Sequence, residues 1–356
     1  TNITSQTVTS GNEEVIEALP KDTTPFIKEM DEAAIRTLRD CMQLVFEDGP
    51  KRDRRLWIGD LRLQALTNYY TFKNMDLVKR CIYMFAGVTG SDDRVGACFY
   101  IEPKLQVDDT VLFDYSLFFV SCLYDYYETT KDKSFIAELW PTALRQIELS
   151  KGRLGMNGIL KDSEDWWCFL DWGDHLNKQA GAQGVFIYTV KQAIYLAEIM
   201  EDEQSLKMLQ ELCDTLTTSA LSKLWDEQQQ VFVSGEERQI SVVSQVWMLL
   251  SGILEDEAAN KLIDRLLADE VSLPLSTPYM YHYYVEALFQ YGRKEEAIKV
   301  MKEYWGGMLE KGADTFWELY NPADDAFSPY GSRVINSYCH AWSCTPSYFI
   351  RKYHLK

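Results

Sequence analysis

Positive charge is in short supply in this chain: 36 Lys and Arg stand against 54 Asp and Glu, a formal net charge of -18. Nucleic-acid affinity comes from Lys and Arg neutralising phosphates, so this balance argues against DNA, RNA and acidic membranes as partners. Histidine is rare, with four residues scattered at 175, 282, 340 and 354, and the eight cysteines form no C-x-x-C pair. No zinc spacing emerges, so neither a metal nor another cofactor is expected, and the cysteines read as small buried hydrophobes. No apolar run is long enough for a membrane span. The chain also has no G-x-S-x-G elbow, no Walker loop, no G-x-G-x-x-G after a strand and no H-E-x-x-H. Two options stay open: acid–base work by carboxylates, or binding without chemistry.

The chain is rich instead in aromatics, with ten Trp and 21 Tyr among 356 residues. Aromatic faces stack on the apolar faces of sugar rings and other flat ligands, although a large aromatic core is an equally good use for any one of them. The informative ones stand beside carboxylates. The stretch from Asp48 to Asp60, DGPKRDRRLWIGD, combines Asp48, Arg52, Asp53, Trp57 and Asp60. Such a density of carboxylate, guanidinium and indole suits a polar-substrate pocket.

The first residues, TNITSQTVTSGNEE, are polar and Ser/Thr-rich like a linker, and the chain opens on Thr1. Residues 1–28 therefore read as a linker-like extension, as in a piece cut from a longer or processed protein, and residues 29–356 as one folded domain. Apolar residues at helical spacing mark a helix over Met30–Phe46, then others from Leu61 and over Leu77–Phe85. A short strand is expected at Ala97–Ile101. Val111–Tyr127 reads as a buried segment, and Ser134–Leu149 as a helix that Pro141 should kink or divide. Further helices are expected at Gln183–Met200, Glu203–Leu216, Ser219–Gln228, Ile240–Leu250, Glu257–Leu267, Tyr279–Tyr291, Lys294–Trp305 and Val334–Lys352. Short and long connections alternate, as paired inner and outer helices of an α/α barrel require. The fold class expected is therefore all-α, an (α/α)6 barrel, with the aperiodic regions around 48–60, 155–175 and 306–333 gathered at one rim.

Those regions hold carboxylates on separate loops: Asp53 and Asp60 on the first, Asp171 and Asp174 on the second, and Glu318 on the third, beside Asp324 and Asp325. Two carboxyls facing each other across a sugar ring suffice for glycoside hydrolysis, one protonating the leaving oxygen and the other activating water or attacking. Taken singly, each is also what a solvated loop carries. Arg52, Arg54 and Arg55 can pair with Asp48 and Asp53 as an exposed lattice. His340, read here on a helix near Tyr338 and Trp342, is by default a satisfied, partly buried histidine.

The first loop resembles the signature of the α-L-rhamnosidases of glycoside hydrolase family 78, approximately D-x-P-x-R-D-E-R-x-G-W-x-G-D. Three further stretches agree in order: YSLFFVSCLYDYYETTKD, LDWGDHL, and DTFWELY followed by NSYCHAW. The resemblance implies an (α/α)6 barrel and an inverting hydrolysis, with the Glu of R-D-E-R as general acid and the Glu of T-x-W-E, here Glu318, as general base. It further implies a rhamnose-containing glycan as partner, β-sandwich domains in the full-length protein, and a periplasmic or extracellular setting. Trp57, Trp172 and Trp317 would wall the pocket, and Asp48, Arg52, Asp171 and His340 would take ring hydroxyls.

The acid is where this chain departs from the signature. R-D-E-R is here Arg52-Asp53-Arg54-Arg55, one residue shorter before the Trp. Anchored on Asp48 and Arg52, the acid position falls on Arg54; anchored on Trp57 and Asp60, it falls on Asp53. The second anchoring is preferred because the Trp and the distal Asp hold the downstream geometry, with Asp60 as the reserve acid. The alternative reading is a silent carbohydrate-binding relative, or one acting on another glycoside.

Overall fold

The computed structural model describes residues 8–161, 166–173, 175–268, 271, 273–324 and 326–356. Contacts divide the chain into two compact units: Thr1–Met84 with Cys98–Val107 and Lys302–Lys356, and Phe85–Ala97 with Asp108–Met301. Helices dominate both, and no described helix is long and apolar enough to cross a membrane.

In the second unit, α4 (Phe113–Thr130), α6 (Gln179–Met200), α8 (Val242–Leu250) and α10 (Pro278–Gln290) pack side by side in chain order. Between them α5 (Lys133–Lys151), α7 (Glu203–Lys223) and α9 (Asp256–Leu267) fold back on the helix before, making α-hairpins. Burial separates the two sets. Val243 to Leu250 of α8 are buried all round, whereas α9 buries only Ala259, Leu262, Ile263 and Leu266, one stripe at helical spacing. A helix apolar on every side must be inner, and one with a single stripe outer. Aromatics fill the space between inner helices: Trp247 lies 4.3 Å from Tyr283 and 5.7 Å from Phe118 between ring centroids. Much of the aromatic excess is thus core.

The first unit contains α1 (Pro25–Cys41), α2 (Ile58–Tyr70), most of α3 (Met75–Gly87), the end of α11 (Lys294–Glu310) and α12 (Pro346–Lys352), with α1, α2 and α12 in mutual contact. A small antiparallel sheet joins β1 (Arg55–Trp57), β2 (Cys98–Tyr100) and β3 (Gln106–Val107), with Leu56 opposite Phe99. Among the described residues, the named strands of the second unit are the β4 (Trp225–Asp226) and β5 (Val231–Phe232) pair. Residues from 8 onward lie against the first unit: Ser10 N donates to Met42 O at 2.8 Å and Arg351 Nη1 to Glu17 O at 2.7 Å.

Four expectations change. The first helix begins and ends earlier, starting with Pro25 at a position where the missing N–H costs nothing and stopping at Cys41. Helix α5 runs through Pro141 undivided, the lost bond offset by burial of Phe135, Ile136, Leu139, Trp140 and Ile147. The segment 203–216 and the start of 219–228, up to Lys223, share one helix, α7, because Thr217, Thr218 and Ser219 are weak formers but not breakers, while the rest of the second segment leaves the helix for strand β4. No helix covers 334–345: that chain is irregular up to a short 3-10 turn at Ala341–Ser343, and α12 begins only at Pro346. His340 accordingly has extended backbone, φ -141° and ψ 123°, not helical.

Candidate active site

The residues gathered in the first unit are held by a lattice of main-chain bonds. Thr37 of α1 accepts Phe316 N at 2.7 Å, Glu318 N donates to Ser337 O at 3.0 Å, and His340 N donates to Phe316 O at 2.9 Å. Segments 316–318 and 337–340 therefore run against each other as a short ladder. Ala341 N donates to Asp48 O at 2.7 Å, which ties that ladder to the 48–60 loop. Gly49 stands at the crossing, where a Cβ would lie 2.8 Å from Arg52 O and 2.9 Å from Cys339 O, so only glycine fits.

Asp48 shapes the loop. Its buried carboxylate accepts Gly49 N at 2.7 Å, Arg55 N at 3.0 Å and Asp53 N at 3.3 Å, and its own N–H donates to Arg55 O. Burial pushes its pKa up to about 6, although the charge of His340 pulls the other way. Arg54, at φ 62°, turns its guanidinium to buried Glu47, 3.1 and 3.2 Å away. Arg55 lies over the Tyr100 ring at 4.2 Å and nearer the edge of reach over Trp57, at 5.7 Å.

Glu318 is the centre of the cluster, with 5% of its side chain exposed. It receives only donors: Arg52 Nη2 at 2.9 and 2.8 Å, the Tyr330 hydroxyl at 2.5 Å and Ser337 N at 3.1 Å. Its carbonyl accepts the Trp342 indole N–H at 2.9 Å. Arg52 also reaches Asp53, with Nη1 3.5 Å from Oδ1, and lies 4.1 Å over the Tyr330 ring. One guanidinium thus spans Asp53 and Glu318. Two such contacts and the width of a guanidinium keep the carboxyls closer than the upper end of the ~6.5–9.5 Å window of an inverting pair. Asp53 is the solvent-facing member, 31% exposed, with Arg55 Nε 3.6 Å from its other oxygen.

Asp60 is different in kind. It lies in the first turn of α2, where a negative charge suits the helix dipole, and it is buried against His340, Oδ1 to Nε2 3.1 Å. The pair lacks the alignment of a directed hydrogen bond and acts through charge. Burial works against a charged His340, yet Asp60, Glu318 and Asp48 outweigh it and hold its pKa at about 9. The imidazole is therefore cationic at neutral pH, with its ring 4.5 Å from that of Trp342.

The structure thus brings Asp48, Arg52, Asp53, Asp60, Glu318 and His340 together, with Trp57 at the end of the same loop. Trp317, adjacent to Glu318, packs edge-on against Tyr338 at 5.3 Å. Asp171 and Trp172 belong to the second unit. There the Asp171 carboxylate is 1% exposed and accepts Thr277 Oγ1 at 2.7 Å, Ser276 N at 2.8 Å and Trp172 N at 2.9 Å, just ahead of α10. Burial raises its pKa to about 7. Asp174 and Asp325 lie outside the described residues. Tyr330 is the partner that sequence reasoning missed: one of 21 tyrosines, in a Ser-Pro-Tyr-Gly-Ser run with no motif around it.

The family model for the bacterial α-L-rhamnosidase six-hairpin glycosidase domain matches residues 22–353. Among solved structures, a rhamnosidase from Klebsiella oxytoca with rhamnose bound is 50% identical, superposes with a TM-score of 0.92, and is matched over 95% of this chain and 66% of its own. A family 78 rhamnosidase of Bacillus sp. GL1 is 23% identical, with a TM-score of 0.82 over 94% of this chain and 36% of its own. The Streptomyces avermitilis α-L-rhamnosidase complexed with L-rhamnose is 17% identical, with a TM-score of 0.72 over 92% and 32% of the two chains. No curated protein matches in sequence. The chain spans less than two thirds of the length of these relatives, and shares with them the all-α six-hairpin fold, an (α/α)6 barrel.

Proposed function

The chain belongs to the bacterial α-L-rhamnosidase six-hairpin glycosidase family, and from that premise we propose that its Glu318 cluster hydrolyses terminal α-L-rhamnosides with inversion. The observation that carries the reading is the single Arg52 guanidinium in contact with both Glu318 and Asp53. It puts two carboxyls from separate loops at the two ends of one guanidinium, closer than the ~9.5 Å upper limit of an inverting pair. The rhamnose bound by the 50% identical neighbour supports the choice of sugar.

Glu318 is the general base. Its donors fix the carboxylate plane, and the Tyr330 hydroxyl and Ser337 N hold it while Arg52 turns from it to a ring hydroxyl as substrate enters. A water on the far side of the anomeric carbon gives its proton to Glu318 as it attacks. Asp53 is the general acid and delivers its proton to the leaving oxygen. Two observations support Asp53 over its neighbours: Arg54, the alternative position, is committed to Glu47, and Asp60 is committed to a cationic His340. His340 and Asp48 hold the loops that carry the two carboxyls, and His340, Arg52 and Trp57 contact the sugar. No cofactor enters these steps.

Turnover of an aryl α-L-rhamnoside by wild type and by Glu318→Gln tests the assignment. Activity in the wild type, lost in the variant with rhamnose still bound, is the expected result. A wild type that binds rhamnose without turnover would instead identify a silent binding module.

A further inference from the structure

Trp317, next to Glu318 in the chain, lines a second pocket of about 180 Å³ in the same unit, and neither Glu318, Arg52 nor Asp53 is part of its wall. Phe327 and Tyr338 add two more aromatic faces, 37% and 40% exposed, so their rings are presented to solvent rather than spent on core. The edge-on contact of Trp317 with Tyr338 braces the two rings against each other. Flat apolar faces of this kind stack on the C–H face of a pyranose. The space lies below the ~300–1,000 Å³ of sites that enclose drug-sized ligands, which suits one ring and not a chain.

The charges on the wall favour an anion. Lys311 and Arg333 are cationic, and the guanidinium of Arg333 has no ion-pair or hydrogen-bond partner among the described residues. Asp324, the described carboxylate of the wall, turns Oδ1 to Ala326 N at 2.9 Å and so caps its own turn. A planar guanidinium without a protein carboxylate is a ready fork for a ligand carboxylate. We infer that this pocket binds a single pyranose bearing a carboxylate, a uronic acid, stacked on Trp317 and Tyr338 and held through Arg333.

The inference stands apart from the hydrolase reading, because binding is measured directly and a wild type without turnover leaves it intact. The probes are D-glucuronate and D-glucose, titrated into the full chain by calorimetry or by tryptophan fluorescence. Glucuronate is expected to bind about tenfold or more tightly than glucose, the worth of one charge-assisted hydrogen bond. Arg333→Ala should erase that difference, Arg333→Lys should keep part of it, and Tyr338→Ala should weaken both sugars together. Saturating L-rhamnose should leave glucuronate binding unchanged. Equal affinity for the two sugars, no binding of glucuronate, indifference to Arg333→Ala, or displacement by rhamnose would each overturn the assignment.

Discussion

The loop ending Trp57-Ile-Gly-Asp60 and the loop Asp171-Trp172-Gly are near relatives in sequence, each an indole, a glycine and carboxylates inside an aperiodic segment. In the structure their carboxylates are used in opposite ways. Asp171 has both oxygens filled by two backbone N–H groups and a hydroxyl, all within 2.7–2.9 Å, and so fastens its loop to the start of α10. Around the first loop, Asp53, Asp60 and Glu318 are met mainly by side chains with charge of their own, Arg52, Arg55 and His340. A carboxylate held by main-chain donors cannot exchange them without disturbing the fold; one held by a guanidinium can trade it for a ligand. Asp48 shows that both uses occur within one loop, since its partners are the backbone N–H groups of Gly49, Asp53 and Arg55. The difference therefore lies in the chemistry of the partner, not in the local motif.

The largest expected effect separates the two uses directly. Glu318→Gln should lower kcat on an aryl α-L-rhamnoside about 10²- to 10⁴-fold, the span of a lost general base, with the thermal midpoint nearly unchanged. Asp171→Ala should do the reverse in kind. It leaves buried donors on Ser276, Thr277 and Trp172 without an acceptor, a loss of about 3–5 kcal/mol in denaturant unfolding. If Asp171→Ala kept full stability while Glu318→Gln unfolded the protein, the comparison would be inverted.

The next test sharpens the contrast inside the first loop. Asp53→Asn should cost about 10²- to 10³-fold with a poor alcohol leaving group and much less with a nitrophenolate, because a good leaving group needs little protonation. Asp60→Asn should lack that dependence, since Asp60 acts on His340 and not on the leaving oxygen. A steeper leaving-group dependence in Asp60→Asn would transfer the acid role to it.

Much of this was legible beforehand, for identifiable reasons. Helices such as α9, with one apolar stripe, follow from periodicity, and Trp57, Gly59 and Asp60 with Arg52 and Glu318 mark the loops of the site by kind and order. Partnership is not legible in the same way. That Asp48 is spent on backbone N–H groups depends on a loop path that brings Arg55 back beside it. That Tyr330 donates to Glu318 depends on a turn that no spacing announces. The helix expected over 334–352 failed for a related reason: apolar residues such as Val334 and Ile335 mimic a period, yet both are exposed and the chain there is occupied in laddering with 316–318.

The smallest effect is in pH, and its sign follows from the partners of His340. Asp60, Glu318 and Asp48 hold its pKa at about 9, against ~6.5 in an unfolded chain. The folded state therefore keeps a proton that the unfolded state gives up. The stabilisation is complete below the unfolded value of ~6.5 and disappears as pH rises through about 9. At ~1.4 kcal/mol per pKa unit its ceiling is on the order of 3 kcal/mol. Asp48 and Asp171, raised by burial to about 6 and about 7, also lose stability as pH rises, but mostly in a lower window that starts near the unfolded ~3.9. Unfolding free energies measured from pH 5 to pH 10 should thus fall in two stages, and the Asp60→Asn, His340→Gln double variant, which removes both charges, should lose the upper one and keep the part of the lower one that Asp48 and Asp171 supply, since burial raises the pKa of Asp60 as well. An unchanged upper stage in that variant would mean that the proton responsible is not held by this pair.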